Sequence, residues 1–229
     1  MIKAAVFDVD GTLVDSNALH VEAWREAFGH YGKELTAEEV HAQIGKGGDQ
    51  LMPVFLSRHE LDRVGDELER LRTDLFSRDY LGSVEPFPKV RELFERLKGD
   101  GVLIALASSA KEQELSSHLE KLGVEELVDA TTSADDVEHS KPCPDVFQAA
   151  LARLDGVQPH EAIVIGDTPY DATAARRAGM NTIGLLSGGF AEETLRESGV
   201  VALYRDIADL LEHYEESPLG ASQREMADG

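Results

Sequence analysis

The chain has 229 residues, 44 of them acidic against 22 basic, for a formal charge of −22. This length supports one large domain, or one domain with a small insert, and the apolar and charged fractions exclude wholesale disorder. So acidic a surface excludes nucleic acid and anionic membrane as partners, since both need a basic face to release counterions.

The first predicted strand covers residues 2–7, a compact apolar run. Two carboxylates follow it at once, so the run is expected to be neither a signal peptide nor a membrane span. Residues 16–82 then show helical periodicity, with helices expected at 17–31, 36–44, 49–59 and 61–80. Thr36 followed by Glu39 is a capping-box pattern, and GKGG at 45–48 separates the second helix from the third. Gly82 and the Pro86-Phe87-Pro88 segment mark a return linker.

Beyond the linker, strands at 102–107, 127–131, 162–165 and 182–186 alternate with helices at 90–98, 111–122, 145–154 and 171–178. That alternation predicts an α/β fold, a parallel sheet with helices on both faces. Its core would comprise residues 1–15 and 83–215. The helical block at 16–82 would form a small inserted domain, and the polar segment at 216–229 a flexible tail. Cys143 is the one cysteine and has no internal partner, which points to a reducing, cytoplasmic setting.

Chemistry-bearing residues collect at predicted strand ends. Asp8 and Asp10 follow the first strand in DVDGT, where ligands bind in parallel sheets. Two carboxylates this close repel unless a cation or proton lies between them. Asp167 and Asp171 follow a later strand in GDTPYD; Asp171 reads equally well as a helix N-cap. Several hard oxygen ligands at one edge would suit Mg²⁺. Ser108 and Ser109 precede a helix, as an anion cradle or as plain caps. Lys141 lies in SKPCPD, where Pro142 and Pro144 stiffen the turn; it is either solvent-exposed or set to offset phosphate and carboxylate charge.

In this order, DVDGT, Ser108, Lys141 and GDTPYD resemble the four motifs of the haloacid dehalogenase-like superfamily, over nearly the whole chain. The resemblance implies a Rossmann-like core with an inserted α-helical cap. It implies Asp8 as nucleophile and Asp10 as acid and then base, with Ser108, Ser109 and Lys141 holding phosphoryl oxygens. Asp8, Asp10 (through its backbone carbonyl) and Asp167 would bind Mg²⁺, supported by Asp171. The dehalogenases of that superfamily lack an acid at the position of Asp10, so its presence argues for phosphoryl chemistry.

The run DSNALHVEAW resembles the branch that holds phosphoglycolate phosphatase, sugar-phosphate phosphatases and β-phosphoglucomutase. It implies that His20 faces the site, and that Lys46 in the GKGG turn meets the substrate's non-reacting end. The bland alternatives are a helix histidine, an exposed loop lysine and, for Trp24, a core residue. The expected activity is hydrolysis of a small phosphorylated metabolite by a monomer or weak dimer. The alternatives are a β-phosphoglucomutase-like phosphotransferase and a catalytically inactive binding protein.

Overall fold

A computed structural model describes residues 1–221. Strand β1 (Ala4–Phe7) is wholly buried, as an apolar run without polar alternation should be when both sheet faces are covered. A two-residue strand, β2 (Val14–Asp15), leads into four helices. These are α1 (Asn17–His30), α2 (Ala37–His41), α3 (Gly48–Phe55) and α4 (Arg58–Leu75), the last continuing as a wider turn over Phe76–Tyr80. Strand β3 (Glu85–Pro86) returns antiparallel beside β2, pairing Val14 with Pro86 and Asp15 with Glu85. The two connections to the helical block are therefore joined to each other.

The remaining chain alternates α5 (Val90–Gly99), β4 (Leu103–Ala107), α6 (Glu112–Leu122), β5 (Ala130–Thr132), α7 (Asp145–Ala152), β6 (Ala162–Gly166), α8 (Pro169–Arg177), β7 (Asn181–Leu185), α9 (Glu192–Ser198), β8 (Ala202–Tyr204) and α10 (Ile207–Glu212). The six longer strands form one parallel sheet in the order β5-β4-β1-β6-β7-β8. The chain runs outward from β1 on one side and then on the other. The crevice beyond the carboxyl ends of β1 and β6 is thus the switch point where ligands bind.

Strand alternation splits the core in two. Phe7, Leu106, Ile163 and Ile165 face α5 and α10, packing on Leu93, Phe94, Leu97, Ile207 and Leu210. Val6, Ala105, Ala107 and Val164 face α7 and α8, against Phe147, Ala150, Ala174 and Ala175. The α1–α4 block has its own apolar cluster, including Trp24, Phe28, Ile44, Leu51 and Leu68. Trp24 is thus a core residue of that block. No helix among the described residues is long and apolar enough to cross a membrane.

Several boundaries differ from the sequence expectation. The capping box at Thr36 and Glu39 forms, but α2 is only five residues long. A second box, Ser57 with Glu60, starts α4 early and ends the preceding helix by residue 55. β5 begins at Ala130 because Glu125–Leu127 winds a 3-10 turn and the Asp129 carboxylate accepts the Ile104 N–H at 2.7 Å. Strand β8 and helices α9 and α10 were not predicted; β8 has three half-buried residues at the sheet edge, too short for a periodic signal.

The expected tail also starts too early. Ser217 and Leu219 are fully buried, and Leu219 joins the α5 and α10 cluster, so the core packing reaches at least to Leu219. Residues 222–229, where the rest of that tail would lie, are outside the described residues. Leu219→Ala should lower stability by about 2–5 kcal/mol, the range for emptying a core leucine site, read as a lower urea midpoint. A midpoint equal to wild type would mean that the segment does not hold the core.

Candidate active site

Each strand end at the switch point delivers one group. Asp8 follows β1, Asp167 follows β6, and Phe7 pairs with Ile165, so the two carboxylates leave the sheet side by side. Helix α8 starts immediately afterwards with Thr168 as its N-cap. Thr168 Oγ1 donates to Asp171 Oδ2 at 2.7 Å and accepts the Asp171 N–H at 3.2 Å. Asp171 is therefore the third helical residue of a capping box rather than the cap, and its other oxygen is free for ionic contact. Carboxylate oxygens of Asp8, Asp167 and Asp171 lie within 4.8 Å of one another, all three residues buried.

Lys141 is 1% exposed, which overturns the solvent-exposed alternative. Its Nζ contacts Asp8 Oδ1 directly and lies 2.8 Å from Asp171 Oδ1. Asp167 takes hydrogen bonds instead, from Thr12 Oγ1 at 2.9 Å and Asn17 Nδ2 at 2.8 Å. The loop after β7 closes over it so tightly that a Cβ on Gly188 would fall 1.7 Å from Asp167 Oδ2; only glycine fits.

Three buried carboxylates against one ammonium leave net negative charge in a poorly solvated site. Burial pushes the Asp8 carboxyl up to about 7, against the pull of Lys141. Burial, then Asp8 and Asp171, raise Asp167 well above the usual carboxylate range. Lys141 is raised as well: burial opposes its charge, but Asp171 and Asp8 outweigh that. The ammonium stays charged, while the carboxylates lack a second cation. Clustered hard oxygen donors with this charge deficit fit a small divalent ion.

The Asp10 side chain turns away from this trio. Its Oδ1 accepts from Ser16 Oγ at 2.6 Å and lies 2.9 Å from His20 Nε2 and 3.3 Å from His118 Nε2. Burial opposes its ionisation, but His20 and His118 outweigh that and hold the carboxyl well below the usual range. Asp8 and Asp10 nonetheless border one small cavity of about 40 Å³, with His20, Trp24, Lys46, Arg72, Ser109 and Glu114 among its lining.

Other expected groups are placed as follows. Ser108 is fully buried, accepting the Ala110 N–H at 2.9 Å, with its Oγ 3.5 Å from Asp10 Oδ2. Ser109 Oγ donates to the Gly45 carbonyl at 3.2 Å, joining the core to the GKGG turn. Neither serine adjoins the helix, since α6 starts only at Glu112 and has Lys111 as its N-cap residue. His20 is buried and stacks on Phe76 with ring centres 4.0 Å apart, while Arg72 contacts its Nδ1. Lys46 Nζ donates to Gln43 Oε1 at 2.6 Å and sits 4.4 Å above the Tyr170 ring. It still borders both the inner cavity and an outer one.

Sequence reading missed Thr12, Asn17, Arg72, Glu114 and His118. Thr12 was legible, since it belongs to DVDGT beside both aspartates. Arg72, Glu114 and His118 carry no local signal; they gather around Asp10 and His20 only through folding.

Comparison with known proteins places this geometry in context. The family model described as haloacid dehalogenase-like hydrolase matches residues 5–185. The chain is 32% identical over 178 residues to fructose-1-phosphate phosphatase YqaB of Escherichia coli, covering 78% of this chain and 93% of that protein. It is 30% identical over 214 residues to the phosphorylated carbohydrates phosphatase of Thermotoga maritima, covering 89% and 94%. A crystal structure of a hydrolase from Pseudomonas syringae superposes with a TM-score of 0.84 at 30% identity, covering 94% of this chain and 99% of that one.

Proposed function

Because this chain belongs to the haloacid dehalogenase-like hydrolase family and is a hydrolase, we propose that it is a Mg²⁺-dependent phosphatase of phosphorylated sugars or similar small metabolites, acting through a phospho-aspartate on Asp8. The observation that carries this reading is the Lys141 ammonium between Asp8 and Asp171, with Asp167 alongside. The substrate class is supported by two relatives whose names specify fructose 1-phosphate and phosphorylated carbohydrates.

An Asp8 carboxylate oxygen attacks phosphorus while the bond to the leaving oxygen breaks. Asp10 gives that oxygen its proton. In the free enzyme His20 and His118 keep Asp10 ionised; an arriving phosphate dianion disfavours that charge and so promotes uptake of the proton Asp10 later transfers. Asp10 then takes a proton from water, which attacks the aspartyl phosphate, releasing inorganic phosphate and restoring Asp8. Two easier steps replace one difficult displacement. Lys141 and Ser108 hold phosphoryl oxygens. Asp8, the Asp10 backbone carbonyl and Asp167 would hold Mg²⁺, with Asp171 fixing Lys141 beside them. When bound, the cation neutralises charge on the transferring phosphoryl group. Residues 16–82 act as a cap that excludes bulk water and limits the site to small substrates.

Chelation is expected to abolish phosphate release, and added Mg²⁺ to restore it. Asp167→Asn should raise the Mg²⁺ needed for half-maximal rate at least about tenfold. Full turnover of an aryl phosphate in excess chelator would overturn the metal assignment. Free phosphate from β-glucose 1-phosphate, rather than glucose 6-phosphate, separates hydrolysis from intramolecular phosphoryl transfer.

A further inference from the structure

Glu114 lies in the first turn of α6, is 6% exposed, and borders the cavity that holds Asp8 and Asp10. Arg72 Nη1 stands 3.6 Å from its Oε2, and His20 Nε2 stands 3.6 Å from its Oε1. Oε1 has no hydrogen-bond partner among the described residues. Leaving a buried acceptor unmet costs about 1–3 kcal/mol, and more when it is charged. An unmet oxygen on a residue that lines this cavity is a place for a donor that arrives with the substrate.

The surroundings decide which donor. Asp10, His20 and Glu114 each present an atom within 4.8 Å of the others, so a cation is the first candidate. Arg72, however, has only donors and contacts His20 Nδ1. Nδ1 must accept, so Nε2 carries the hydrogen, aims it at Asp10 and has no lone pair for a metal. A neutral hydroxyl fits better. Asp10 serves the leaving oxygen, and Glu114 is one short step away. In a monoester of a 1,2-diol, the second oxygen lies about that step from the ester oxygen.

We propose that Glu114 determines specificity: its Oε1 accepts a hydrogen bond from a hydroxyl on the carbon next to the phosphoester, so that the enzyme selects vicinal hydroxy phosphomonoesters. This deepens the phosphatase reading above and rests on it. Arg72 orients the carboxylate from the helical block, so recognition requires that block and the core together.

The test compares kcat/KM for propane-1,2-diol 1-phosphate and n-propyl phosphate, which differ by one hydroxyl. Wild type should prefer the diol ester about 10- to 100-fold, the worth of one hydrogen bond to a charged group. Glu114→Ala should bring the ratio near one, chiefly by slowing the diol ester, and Glu114→Gln, which keeps an acceptor, should retain part of the preference. A wild-type ratio near one overturns the proposal without any variant. So does a Glu114→Ala enzyme that loses both substrates equally, as a purely structural role for Glu114 would require. Phosphate release from neither ester, nor from an aryl phosphate, would instead remove the phosphatase reading and this proposal with it.

Discussion

Asp8→Asn is expected to lower phosphate release from an aryl phosphate by at least about 10³-fold, the scale on which loss of a covalent nucleophile acts. An amide oxygen accepts hydrogen bonds but does not form the acyl phosphate. The fold should not suffer. Asp8 is one of three buried carboxylates facing a single ammonium, so neutralising it relieves repulsion from Asp167 and Asp171. A thermal melt alongside the assay separates the two effects: activity gone, midpoint equal or higher. Residual turnover above a tenth of wild type would show that Asp8 is not the nucleophile.

Lys141→Met should produce the second large effect. Methionine keeps an unbranched chain of similar reach but removes the buried ammonium that meets Asp8 and Asp171. Breaking a buried ion pair from one side costs about 3–5 kcal/mol, because the remaining charge is left without compensation. Turnover should fall at least about 10²-fold, since a fixed positive charge on the phosphoryl group is lost. The proposed metal makes the stability loss conditional. It should be full in chelator and reduced by Mg²⁺, which supplies positive charge to the same carboxylates. Equal melting midpoints for variant and wild type in chelator would mean that Lys141 does not hold the cluster together.

These two residues also show how far sequence reading reaches. Asp8 and Lys141 are 133 positions apart, yet each was legible from its own neighbourhood: one at the end of an apolar strand, the other just before two stiffening prolines. Asp167 was legible for the same reason as Asp8. Ser108 and Ser109 were found at the right strand end, but the helix they were expected to cap starts later, at Glu112. Asp171 could be read as a cap or as a charge partner. It is the charge partner and the third residue of a capping box whose cap is Thr168, because one oxygen meets Thr168 and the other meets Lys141. The buried stretch at Ser217 and Leu219 misled a compositional reading, since one leucine among small polar residues gives no periodicity yet fills a core site.

By itself the amino-acid order determined the strand–helix rhythm, the helical block after the first strand, and the acids and lysine waiting at strand ends. Those are local properties, written in periodicity and in the residues that follow each apolar run. Only the tertiary structure decided that β1 and β6 are neighbours, that Asp10 turns toward His20 and His118, and that Arg72 and Glu114 meet across two parts of the chain. Such pairings depend on which surfaces pack together, and no short window of sequence holds both partners.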